Sequence, residues 1–195
     1  MNLLFKLTIV SLLLITTEAY GESPEAHCES DEYKYTLGTD ISPWLMNGGS
    51  LIYSSLSGNC RLTLEAWKLE FPKAFMDLNK HNKDEDWQRE ATGFALYIDT
   101  FYKNTDDGWY SGLVFSTFYS ELSREGYDAE EGFRSYEIML RFGYKWNLTP
   151  NVSLEPWFAA GPLWTDGNEP TIGGEKFQES KVQILGTTHL TYSFD

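Results

Sequence analysis

Few groups in this chain could carry out chemistry. It has three histidines, His27, His81 and His189. A hydrolase needs a nucleophile within hydrogen-bond reach of a base, and an acid to orient that base. His189 comes closest, four residues before Ser193. In an extended strand the two share a face but lie too far apart for direct contact. His27 falls in a polar stretch and His81 in a charged one. Neither a Gly-x-Ser-x-Gly nor a His-Glu-x-x-His pattern is present. No catalytic residue, metal-ligand set or cofactor is therefore expected. The acids gathered at 84–86, 106–107 and 128–131 lack the spacing of a cation-binding loop. They read as solvated loops.

A larger set of ionisable groups emerges once side chains are sorted by face. Successive residues of a strand point to opposite sides. Over 135–147 this puts Tyr136, Ile138, Leu140, Phe142, Tyr144 and Trp146 on one face. Ser135, Glu137, Met139, Arg141, Gly143 and Lys145 take the other. The apolar face has aliphatic residues in its middle and rings at both ends, as expected of a strand facing lipid between two headgroup layers. Charges of both signs lie opposite, and a narrow closed barrel can hold them if they pair. The same sorting along the chain collects Lys34, Asp40, Arg61, Glu65, Asp99, Glu137, Arg141, Lys145, Glu155 and His189 inside. Of these, Arg61, Glu65, Asp99, Glu137, Arg141, Lys145 and Glu155 are expected to form an interior charge network. A packed, rigidifying network is favoured over a narrow water-filled path.

The elements that must position these groups follow from the same alternation. Strands are expected at 33–41, 50–56, 61–70, 93–103, 109–122, 135–147, 152–163 and 182–194. The face of 50–56 is ambiguous. Met46-Asn47-Gly48-Gly49 reads as a tight turn, since Asn and Gly accept positive φ. Residues 71–91 read as a long loop with one helical turn started by Pro72 and including Ala74, Phe75, Met76 and Leu78. Residues 123–132 and 164–181 read as further long loops. Eight strands with antiparallel neighbours make the smallest common membrane barrel, an all-β up-and-down transmembrane fold. Short connections at 57–60, 104–108 and 147–150 gather at one end, and the long ones at the other. Outer-membrane barrels share this asymmetry. Trp109, Tyr119, Tyr136, Tyr144, Trp146, Tyr192 and Phe194 are the expected lipid-facing aromatic belt.

At 195 residues one folded domain is expected. Lys6, the apolar run 7–15 and the small residues around Ala19 and Gly21 read as a secretory signal over 1–21. That run falls short of the about 20 residues a spanning helix needs. A periplasmic tail over 22–32 and a barrel over 33–195 complete the division. A net charge of −14 argues against nucleic-acid partners. Cys28 and Cys60 would lie on one side of the membrane. A disulfide between them is allowed if their Cα atoms come within about 7 Å.

The chain resembles small eight-stranded outer-membrane barrels of the OmpA-transmembrane and OmpW type, and more closely uncharacterised bacterial outer-membrane β-barrel proteins. The resemblance rests on 71–79 (Phe-Pro-Lys-Ala-Phe-Met-Asp-Leu-Asn), 108–112 (Gly-Trp-Tyr-Ser-Gly), 142–146 (Phe-Gly-Tyr-Lys-Trp) and 155–158 (Glu-Pro-Trp-Phe). It implies an outer-membrane location in a Gram-negative bacterium, lipid as surroundings, and assembly through the C-terminal strand by the barrel-assembly machinery. It implies no catalytic residues, and a structural or minor porin-like role follows. Such barrels usually end in an aromatic residue, whereas here Asp195 follows Phe194. Two competing functions make different predictions. A soluble lipocalin-like barrel binding an apolar ligand would invert the faces. A lipid-modifying enzyme would depend on His189. Partners of the exposed loops are not legible.

Overall fold

A computed structural model describes residues 28, 33–83, 85–103, 107–167 and 169–194. The expected signal segment and nearly all of the expected tail lie outside these residues. The eight-stranded antiparallel barrel forms as the alternation predicts. Its strands are β1 (Tyr33–Asp40), β2 (Gly49–Ser57), β3 (Cys60–Phe71), β4 (Trp87–Phe101), β5 (Gly108–Arg124), β6 (Glu130–Asn147), β7 (Val152–Asp166) and β10 (Val182–Phe194). Each pairs with its neighbour in sequence, and β1 closes the ring against β10. Two-residue strands β8 (Thr171–Ile172) and β9 (Glu175–Lys176) form a small hairpin between β7 and β10.

The turns at 57–60 and 147–150 lie at one end, where Cys28 and Cys60 form a disulfide with Cα atoms 5.0 Å apart. Ser57 pairs with Cys60 across a two-residue turn, in which Gly58 takes φ 57°. Ser57 Oγ also donates to the Cys28 carbonyl at 2.9 Å. At the far end, Asn47 supplies the left-handed residue (φ 52°) of the expected 46–49 turn. The helix α1 (Ile41–Leu45) precedes that turn, so the first strand ends at Asp40 and Ile41 is helical rather than extended as alternation predicts. Asp40 caps α1 by accepting from the Ser42 amide at 2.8 Å. The expected helical turn after Pro72 is α2 (Lys73–Met76), which stops short of Leu78.

The long loops are shorter than the sequence suggests, because the strands run on past the expected ends. β4 starts at Trp87 rather than 93, β5 reaches Arg124, β6 starts at Glu130 rather than 135, and β7 reaches Asp166. The alternation continues there with reversed polarity. Trp87, Leu122, Phe133 and Leu163 point inward and are buried, while Gln88, Glu121, Arg134 and Asp166 point out. A search for apolar-outward strands stops where the outside becomes polar. The ambiguous β2 turns Ile52, Ser54 and Leu56 inward and Leu51 and Tyr53 outward.

Around the disulfide-proximal part the outer surface is a continuous apolar belt. Leu64, Phe94, Leu140 and Phe158 are each about half exposed or more. Rings fringe it, with Trp109 stacked on Phe142 at 5.0 Å near the disulfide end and Tyr136 stacked on Trp164 at 6.2 Å toward the other. Trp109 and Tyr119, outward on β5, are ten residues apart. At about 3.4 Å per residue and a tilt of about 40°, that separation spans about 25 Å, the height of a barrel's lipid-facing band. Trp146, Tyr192 and Phe194 are exposed on the same surface. Tyr136 and Tyr144 lie on it too, half-covered by neighbouring rings.

Candidate functional site

The interior has two tiers. In the lower one, Asp99 on β4 is fully buried and ties two guanidinium groups together. Arg61 Nη2 lies 2.9 Å and Arg141 Nη1 3.1 Å from its Oδ2. Arg61 Nη1 also meets Glu155 Oε2 at 2.5 Å, and Thr191 Oγ1 donates to the other Glu155 oxygen at 3.2 Å. Rings flank both cations: Tyr97 and Trp157 at 4.4 and 4.5 Å from Arg141, Tyr110 and Phe101 at 4.7 and 5.1 Å from Arg61. Arg141 Nη2 donates to the Tyr110 hydroxyl at 3.0 Å. Paired charges and π faces offset the desolvation that would otherwise cost several kcal/mol per ion.

Of the seven residues expected in this network, four form it: Arg61, Asp99, Arg141 and Glu155. Lys145 is buried on the same face and acts electrostatically on Glu155. Glu65 accepts from the Tyr97 hydroxyl rather than from a cation. Glu137 stands apart, opposite Ser116 in register and in no ion pair among the described residues. Lys34 is exposed at the strand end. Tyr97, Tyr110 and Trp157 were not foreseen as partners of the arginines. The signal was available, since alternation puts all three on the inward face.

Asp40, Glu65 and His189 each bring a ligand atom within 4.8 Å of the others. Two oxygens and an imidazole would suit a first-row transition ion. The only hydrogen bond to the ring among the described residues comes from Arg141, and the ring Nε2 has none. Arg141 Nη2, which has only protons to offer, lies 3.3 Å from His189 Nδ1 and leaves the ring proton on Nε2. That atom faces Asp40 Oδ2 at 3.7 Å. Among the described residues no hydroxyl is hydrogen-bonded to His189, and the amide of Ser193, four residues along the strand, donates to the Asn151 carbonyl.

The lower tier is tightly packed. Asp99, Phe101, Tyr110 and Ala159 have no surface open to a water-sized probe, and every barrel strand adds a side chain exposed by under a tenth.

The upper tier is an aromatic cage around one cation. Arg89 lies 4.6 to 5.7 Å from the rings of Phe71, Phe133, Phe118 and Phe177. Its Nε donates to Ser120 at 2.9 Å, and its Nη2 pairs with Glu179 at 2.6 Å. Phe177 and Glu179 belong to the connection between β7 and β10, so Arg89 draws that segment down over the barrel mouth. Asn82 adds a reciprocal pair of 2.9 Å bonds with the backbone of Gln178. Outside the barrel, the hydrogen bond from Lys73 holds the Asp86 carboxyl below its ordinary range and the Lys73 ammonium above its own.

No known protein family matches the chain, and no curated protein does. Among solved structures, the crystal structure of Neisserial surface protein A (NspA) is similar over 83% of this chain and 92% of that one. The identity is 10% and the TM-score 0.41.

Proposed function

We propose that this chain is an integral outer-membrane β-barrel, sealed to solutes and without catalytic activity, that serves as a rigid base for its far-end segments. The observation that carries this reading is the sorting of side chains in the lower half. Leucines, isoleucines and rings cover the outside, while arginines and carboxylates pair inside at near-zero exposure. A soluble ligand carrier would sort them the other way. The belt height supports a bilayer as the solvent for that surface. Outward Leu190, Tyr192 and Phe194 on β10 supply the pattern expected of a strand presented to the assembly machinery. Planar-bilayer recording of the purified protein tests the sealed interior. The account expects insertion without conductance steps, and a stable open level would refute it.

A further inference from the structure

The barrel wall has a gap on one side. β10 meets β1 only from His189 onward, opposite Asp40, so residues 182–188 have no strand neighbour on that edge. Across the gap, β2 reaches β3 only as far as the Gly49–Lys68 pair, and 69–71 continue past it. α1 bridges the lower part of the gap, touching β10 and β3. Above it opens a cavity of about 600 Å³, within the range of small-molecule sites. It runs from exposed Leu78, Val182 and Ile184 at the rim to Phe118, Leu163 and Phe177 on the inward face of the barrel.

Two features identify what would fill it. The first is its height. Outward Ile184 stands eight residues along β10 from outward Tyr192 of the aromatic belt. At about 3.4 Å per residue and a tilt of about 40°, that is about 21 Å, inside the upper edge of a lipid-facing band about 25 Å tall. The cavity therefore opens sideways onto the belt as well as upward. The second is its charge. The chain has 29 acids against 15 lysines and arginines. Yet Lys80, His81, Arg89 and Lys181 line this cavity with one acid, Glu179, which is already paired with Arg89. An apolar slot beside a bilayer, topped by cations in an otherwise acidic protein, suits an alkyl chain carrying a phosphate.

We infer that the gap takes up one acyl chain of a phosphate-bearing membrane lipid, with Lys80, His81 and Lys181 holding the headgroup. This rests on the membrane reading above. The test uses native mass spectrometry of the full-length protein in detergent, titrated separately with dioleoyl phosphatidic acid and dioleoyl phosphatidylcholine. One phosphatidic acid should be retained per barrel, at least tenfold more tightly than phosphatidylcholine. A Lys80→Glu, Lys181→Glu double variant should lose about tenfold for phosphatidic acid. Both lysines are exposed, and folding of the variant is checked by its heat-modifiable mobility. Dihexanoyl phosphatidic acid, with the same headgroup and short chains, should bind at least tenfold more weakly. Equal retention of the two dioleoyl lipids would overturn the inference, as would tight binding of the short-chain lipid or indifference to the charge reversal. Insertion into phosphatidylcholine vesicles is scored on the same preparation. Loss of insertion counts against both readings, whereas insertion with equal retention counts against this one alone.

Discussion

Near the disulfide, the wall turns leucine, phenylalanine and tyrosine outward and keeps arginine, aspartate and glutamate within. Toward the far end the same strands turn Gln88, Glu121 and Arg134 outward and keep Trp87, Leu122 and Phe133 within. The backbone period is two residues throughout, and only the solvent that each face must suit differs. The far half is packed as a water-soluble barrel would be, with apolar rings closing on one another. The near half has no gain from burying apolar groups in a membrane, so its interior can be held by ion pairs and cation–π contacts. One strand, β4, carries both logics, with Arg89 inside a cage of rings and Asp99 inside a cage of charges.

Breaking the lower tier should have the largest effect. Asp99→Ala removes the carboxylate shared by Arg61 and Arg141 and leaves two buried cations with one remaining partner at Glu155. A loss of about 3–5 kcal/mol is expected, measured by urea unfolding in vesicles. Next comes a charge on the outside of the near half. Leu140→Arg should cost about 2–4 kcal/mol at mid-belt. Arg89→Gln should cost about 2 kcal/mol through lost cation–π contact. Its main consequence should be local: 167–181 becomes open to limited proteolysis while the heat-modifiable barrel persists. The smallest effect sharpens the contrast most. Gln88→Arg puts a charge on the outside of the far half and should change stability by less than about 0.5 kcal/mol, against the large penalty at Leu140.

Alternation made much of this fold legible. Residues 135–147 show both faces without ambiguity, and the strand count, the ring closure and the crowding of short turns at one end follow from the same rule. What remained hidden has identifiable causes. The ends of β4 to β7 were missed because their polarity reverses above the belt, where apolar-outward no longer describes a strand. α1 was missed because Ile41 continues the strand pattern, while the break is marked only by the Asp40 cap and by Pro43 in the first turn. The charged network was legible as a set of inward residues but not as pairs. Asp99 bridges two arginines because Arg61, Asp99, Gly112 and Arg141 stand in one register row across β3 to β6, with side-chain-free Gly112 leaving the room between them. No pattern within a single strand encodes that register. The cage around Arg89 needs Phe177 to fold back more than eighty residues away in sequence, which again lies beyond periodicity.

The sorting of faces in the near half can be measured directly, because the native cysteines are bonded to each other. Single cysteines at Met139, pointing in, and Leu140, pointing out, would be reacted in vesicles with a maleimide confined to the bilayer. The account predicts rapid labelling at 140 and none at 139. Labelling at 139 with protection at 140 would contradict it.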